Sequence, residues 1–298
     1  MTEGSETSLE HQGAEKELPK ICFDRIMTDE ILFYDSAFEQ DCKVFCQRRN
    51  ITFLPSKKDC NVCYNLVGEE FRERQIEESQ RVEAKSEIFD ATVLGKFRKH
   101  HVLFVYEKSE IVGVVHFCDY NRDPVFLNLY PLLLRFERKL RGLLTSSGLQ
   151  DEDMLKFFEA HAKDDPFYKD RFNRFRDSKI EKKMKELEPF QMFDLKDLIA
   201  LANSRKILKI PETINDVRNT IMHSKNVVKH RDYEVANLIY DFDSFQNFFN
   251  SVKQIKLKIK EIKGKPPNIN DSEEVIRLKK AGLFLRFRDW KRTGYAHK

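Results

Sequence analysis

Two stretches of this chain, SAFEQDCKVFCQRRNITFLP (36–55) and SEIFDATVLGKFRKHHVLFV (86–105), place apolar residues in the same pattern at an offset of 50 with no gap. Phe38 matches Ile88, Val44 matches Leu94, and Phe53 matches Leu103. Each copy opens on a Ser suited to N-capping, continues with helical spacing, and ends in a short β-prone run. A second strand follows in both, NVCYNLVGEEF and EIVGVVHFCDY, after a turn rich in Lys, Asp, Ser and Glu. An extended approach precedes each copy, ICFDRIM in the first and QRVEAKS in the second. The repeating unit is therefore helix, strand, strand, with this extended approach before it.

After Pro124 the period changes to that of helices alone. NLYPLLLRFERKLRGLL (128–144) has apolar residues at 129, 132, 133, 136, 140, 143 and 144, which predicts a helix burying one broad stripe and ending at Ser146-Ser147-Gly148. DEDMLKFFEAHAKDD and PFYKDRFNRFRDSKIEKKMKELEPF predict two shorter helices separated by Asp164, Asp165 and Pro166. FDLKDLIALANSRKIL and PETINDVRNTIMHSKNVV follow, then a long helix from near Tyr233 to about Ile262. These segments predict a helical bundle.

Length and charge narrow the class. A chain of 298 residues has room for two domains, and 34% charged with 41% apolar residues fits a water-soluble globular protein. The most apolar run, Leu127 to Leu134, contains Pro131 and meets Arg135, Glu137 and Arg138, so no membrane span is expected. MTEGSETSLEHQGAEKE is polar without an apolar core, which predicts a disordered leader over 1–17 and a cytoplasmic protein. A net charge of +4 is small for a nucleic-acid binder, yet Lys and Arg gather at 169–185, 253–265 and 277–292. Interleaved Asp and Glu make a solvated helix face the simpler reading, with a phosphate-tracking surface as the alternative.

Cys42, Cys46, Cys60 and Cys63 have a spacing compatible with a tetrahedral thiolate zinc site. DCNVCYN lacks the usual turn glycine, and Cys42 and Cys46 fall in a helical pattern. Buried free thiols are the expectation, and no metal ligand is assigned.

The repeated unit, over about residues 19–123, resembles a pair of CBS domains. Its best-matched piece is Ile111-Val112-Gly113-Val114-Val115-His116-Phe117-Cys118-Asp119, which resembles the family's apolar-Gly-apolar run followed by Ser or Thr, two residues, and Asp. The resemblance implies an adenosine-containing nucleotide as effector, with Asp119 accepting hydrogen bonds from ribose hydroxyls. Here His116 stands where the hydroxyl residue is expected, and the first copy has Val67 and Glu70 at the equivalent places. Asp119, His116 and Glu70 are thus the candidate nucleotide-binding residues. A pair kept only for dimerisation is the alternative.

Within PETINDVRNTIMHSKNVV, Ile214, Val217 and Ile221 form an apolar stripe, and Arg218, Asn219, Met222 and His223 lie off it. Asn219 and His223 share a face, whereas Arg218 and His223 stand roughly 140° apart at about 100° per residue. This Arg-Asn-x3-His run, in an all-helical region of about 126–263, resembles the HEPN family, whose signature is Arg-x(4 to 6)-His. Arg292 to His297 also fits the spacing, without the Asn. The resemblance implies a metal-independent endoribonuclease that works as a homodimer with no cofactor required for catalysis, two motifs facing each other.

The chemistry suits RNA, whose 2′-hydroxyl is an internal nucleophile. His223 would move the proton, Arg218 would grip the phosphate oxygens, and Asn219 would orient either. The expectation is an α+β protein: leader 1–17, CBS pair 18–123, HEPN-like bundle 124–263 and basic-aromatic extension 264–298. A non-catalytic, nucleotide-responsive regulatory or interaction protein is the principal alternative, and a zinc-bearing nucleic-acid binder the third.

Overall fold

A computed structural model of the chain describes residues 20–49, 51–229 and 240–262. The expected leader, the Arg292–His297 match and the basic-aromatic extension lie outside the described residues. In chain order the elements are α1 (Glu39–Arg49), β1 (Phe53–Pro55), β2 (Val62–Val67), β3 (Glu70–Gln75), β4 (Arg81–Glu83), α2 (Ala91–Lys99), β5 (Val102–Glu107) and β6 (Glu110–His116). The helices α3 (Asp123–Ser146), α4 (Asp151–His161), α5 (Pro166–Phe175), α6 (Ser178–Lys185), α7 (Leu195–Ser204), α8 (Thr213–Met222) and α9 (Phe242–Glu261) follow. The class is α+β. No helix among the described residues is long and apolar enough to cross a membrane.

Both copies of the repeat adopt related ladders. In the second, β4 runs parallel to β5 and β5 antiparallel to β6. In the first, Tyr34 bridges Ser56 in parallel at the end of β1, and β1, β2 and β3 form an antiparallel meander. β3 fills the place beside β2 that Thr28 takes beside β6, where two backbone bonds of 2.8 and 3.0 Å join Thr28 to Val114. Gly113 permits that approach, since a Cβ there would stand 2.6 Å from the Met27 sulfur and 2.9 Å from the Thr28 carbonyl oxygen.

The helix starts differ from the expected serines. Asp35 accepts from the Ala37 N–H in the turn before α1, and Asp90 accepts from the Thr92 N–H of α2 at 2.8 Å. Ser36 lies inside the short turn that Asp35 caps, and Ser86 lies four residues before Asp90, too far from the first turn of α2 to cap it. The expected single helix from Pro166 is two, because the Asp177 carboxylate accepts from the Lys179 N–H at 2.9 Å and starts α6.

The described residues group into two units, one of residues 20–134 with 211–257, the other of residues 135–210 with 258–262. This differs from the expected division at residue 123, since α8 and most of α9 belong with the sheets. Aromatic packing is the reason. Phe245 of α9 lies 5.5 Å from Phe97, 5.4 Å from Phe117 and 4.9 Å from Tyr120, centre to centre, and all four are essentially inaccessible. Burying rings of this size outweighs continuity along the chain as a criterion for what folds together.

In the second unit the core is formed by Phe136 and Leu140 of α3, Phe158 of α4, Phe175 of α5, and Phe190, Phe193 and Leu198 around α7. Phe175 and Phe193 meet at 4.7 Å. Asp197 is fully buried, accepts from the Asp194 N–H at 3.0 Å and pairs with Arg171 at 3.2 Å. Burial pushes its carboxyl up to about 6, and Arg171 offsets part of that rise.

Candidate functional site

α8 forms where Ile214, Val217 and Ile221 give it a buried stripe at helical spacing. Glu212, with the Asn215 N–H bonded to its carbonyl, precedes the first turn, and Thr213 is the first helical residue. Arg218 and Asn219 are half-buried beside the stripe, and the Arg218 Nη1 donates to Asn219 Oδ1 at 3.2 Å. The helix then stops one residue before the histidine. Ser224 takes a left-handed conformation, φ +48°, its N–H bonds the Ile221 carbonyl at 3.2 Å, and the Lys225 N–H bonds that of Thr220 at 2.9 Å. This pair of bonds is the Schellman ending, normally built on glycine.

His223 therefore occupies the C-cap, with φ −105° and its N–H on the Asn219 carbonyl at 3.1 Å. Its side chain is exposed and makes no hydrogen bond or ion pair among the described residues. Of the three predicted catalytic residues, the structure brings Arg218 and Asn219 into contact and leaves His223 facing solvent one turn along. The arrangement offers a guanidinium, an amide and an imidazole at one helix end, which suits an anionic ligand approaching from water.

The segment after the motif is anchored by a residue that the motif search passed over. Asn121 donates to the Val228 carbonyl at 3.0 Å and accepts from the Val228 N–H at 2.7 Å. This two-bond grip ties the chain just beyond His223 to the turn after β6. Asn in a turn is unremarkable in sequence, so only the fold identifies this role.

That same turn holds two of the predicted nucleotide-binding residues. Asp119 Oδ2 accepts from the His116 N–H at 2.7 Å, and His116 Nδ1 accepts from the Cys118 N–H at 3.1 Å. Asp119 Oδ1 pairs with Arg122 at 3.0 Å, and Arg122 also donates to the Met27 carbonyl and the Thr28 hydroxyl, each at 2.7 Å. Both carboxylate oxygens are thus engaged within the protein. Burial pushes the His116 imidazole down to about 4, with His101 adding to the effect, and raises the Asp119 carboxyl. Neutral His116 agrees with its Nδ1 acting as an acceptor.

Glu70 lies elsewhere, exposed at the β2–β3 hairpin whose turn includes Gly68 at φ +63°. A cleft of about 280 Å³ in this unit runs between β4 and the start of α2. It is lined by Glu78, Glu83, Glu87 and Asp90 against Arg81 and Lys96, and includes none of Glu70, His116 and Asp119. Four carboxylates to two cations is a poor setting for a polyphosphate.

The four cysteines with zinc-like spacing divide between two apolar clusters. Cys42 and Cys46 pack with Leu54, and Cys60 and Cys63 pack about Phe104 and Ile111. Burial raises the Cys46 thiol to about 11 and also raises Cys63. No group of three or more His, Cys, Asp or Glu among the described residues could hold a metal ion.

No protein-family model, curated protein or solved structure matches this chain.

Proposed function

We propose that the chain is a cytoplasmic, metal-independent endoribonuclease of HEPN type acting on single-stranded RNA, with Arg218, Asn219 and His223 as its catalytic residues. One observation carries the reading. Arg218 and Asn219 touch each other at 3.2 Å beside an exposed, uncommitted His223 at the end of α8. The 2′-hydroxyl loses its proton to His223 and attacks the adjacent phosphorus. The bond to the 5′-oxygen breaks, and that oxygen takes the proton held on a His223 imidazolium, leaving a 2′,3′-cyclic phosphate and a 5′-hydroxyl. Arg218 neutralises the crowded phosphate oxygens, and Asn219 holds the guanidinium in place.

The CBS-like repeat serves in this proposal as a dimerisation module in preference to a nucleotide sensor. The internal use of both Asp119 oxygens supports that choice, and an exposed apolar row on the first half of α3, just after the repeat, supports dimerisation itself. Leu127, Tyr130 and Leu134 recur at three- and four-residue spacing and are 74%, 42% and 42% exposed. Such a row is what a second copy of the chain would cover. Toxin action or antiviral defence is the biological setting of this proposal.

A second reading is a non-catalytic regulatory or interaction protein. It draws on the absence, among the described residues, of any group that orients the His223 ring. Labelled single-stranded RNA and a copy with 2′-deoxy sugars, each incubated with the purified protein, separate the two. Cleavage of the first alone supports the ribonuclease. Cleavage of neither, with an adenine nucleotide raising the melting temperature, supports the regulator.

A further inference from the structure

Residues 169–185 hold eight Lys and Arg against three Asp and Glu, an excess larger than the +4 of the whole chain. Part of that charge is used internally. Arg171 pairs with Asp194 and Asp197, and Lys185 with Glu181 at 2.9 Å. Arg174 lies by the Phe175 ring, and the other five form two short rows in the second unit. On α5, Lys169, Phe172 and Arg176 recur at three- and four-residue spacing and share a side of the helix, and the Arg176 guanidinium carbon lies 5.2 Å from the Phe172 ring centre. On α6, Lys179, Lys182 and Lys183 share a side in the same way and are exposed, with Glu186 at the row's end.

None of these five cations forms an ion pair among the described residues. Like charges held this close repel one another, so the face is better matched to a polyanion than to water alone. Its composition favours one kind. A half-buried ring flanked by a guanidinium receives a base by stacking and its phosphate by charge, and a lysine row one turn long tracks the following phosphates. A membrane surface would need large apolar side chains beside the cations, and no such side chain of α5 or α6 is exposed.

We infer that the α5–α6 face is a docking surface for single-stranded RNA, with Lys179, Lys182 and Lys183 on phosphates and Phe172 with Arg176 under a base. The choice of RNA over DNA rests on the ribonuclease reading; the face itself does not.

The test is fluorescence anisotropy of a labelled 2′-O-methyl RNA strand, which resists cleavage, titrated with the full-length protein. Replacing Lys179, Lys182 and Lys183 together by Gln weakens binding roughly tenfold or more at about 0.1 M salt and lowers the slope of log affinity against log salt by about 2, at about 0.7 per contact. Phe172→Leu, which keeps the apolar packing and removes the ring, weakens it about fivefold. Unchanged affinity and slope in the lysine variant overturn the inference. So does tighter lysine-dependent binding to duplex DNA or to phosphatidylserine vesicles than to the single strand. Lysine-dependent RNA binding without any cleavage of ordinary RNA supports the face and removes the ribonuclease reading. Cleavage by wild-type protein, with the lysine variant binding as tightly, does the reverse.

Discussion

The turn after β6 and the end of α8 contain similar chemistry, an imidazole with an arginine nearby, and use it in opposite ways. At the turn, His116, Asp119 and Arg122 bond to one another and to Met27 and Thr28, and burial holds His116 neutral. At the helix end, among the described residues, Arg218 and Asn219 meet only each other by side-chain bonds, and His223 is exposed. The first arrangement consumes its polar groups to fix a fold; the second leaves them available. Residue type alone does not distinguish a structural cluster from a reactive one, and the partners do.

The largest expected contrast is in activity. Arg218→Ala lowers single-turnover RNA cleavage by about 10²–10³-fold with a melting temperature close to wild type, because the loss falls on the charged transition state. Asp119→Ala does the opposite. It removes the acceptor for His116 and the partner of Arg122, costing about 2 kcal/mol in denaturant unfolding while folded protein cleaves at the normal rate. An Asp119→Ala enzyme that folds normally but loses activity would erase the contrast.

Titration sharpens it further. A histidine held near 4 when folded and near 6.5 when unfolded gives stability that is present above about 6.5 and lost as the pH falls towards about 4. The buried Asp197 of the second unit acts the other way. Its carboxyl is raised to about 6, so its contribution is greatest below about 4 and is lost as the pH rises through 6. Hydrogen exchange between pH 4 and 6.5 should show protection rising with pH around β6 and falling around α7. His116→Phe should flatten the first slope and Asp197→Asn the second. Parallel slopes in both units contradict these assignments.

Smaller effects come from the supports. Asn121→Ala removes both bonds to Val228 and is expected to cost about 1–2 kcal/mol, with faster exchange in residues 223–229. Ser224→Gly relieves the left-handed conformation at the helix end and is expected to add about 0.5–1 kcal/mol without changing cleavage. Loss of cleavage in Ser224→Gly would mean that the cap also positions His223.

Much of this was legible in the sequence, for reasons that differ by element. The recurring helix-strand-strand order is read from apolar spacing, but the offset of 50 does not carry over to burial: α1 buries Cys42 and Cys46 whereas α2 buries Val93 and Phe97, and β6 alternates inward and outward while β5 is buried along Leu103–Tyr106. The breaks at Asp165 and Gly148 follow from capping and left-handed geometry, as Asp165 accepts from the Phe167 N–H and Gly148 lies at φ +79°. The split between α5 and α6 escaped because Asp177 sits among residues that all tolerate a helix. The grouping of α9 with the sheets escaped because Phe245 marks that helix as buried without saying against what. Met222 and His223 read as one continuous helix, whereas the chain turns at Ser224, a residue with no strong preference for positive φ. The internal engagement of Asp119 depends on Arg122 reaching Met27 and Thr28, a contact across more than ninety residues that no local pattern encodes.

The most direct measurement is the end chemistry of RNA fragments produced with chelator present by wild-type protein and by His223→Ala. The account predicts 2′,3′-cyclic phosphate ends from the wild type and a loss of at least about 10²-fold in their rate of formation by the variant. Equal rates from the two proteins would contradict it.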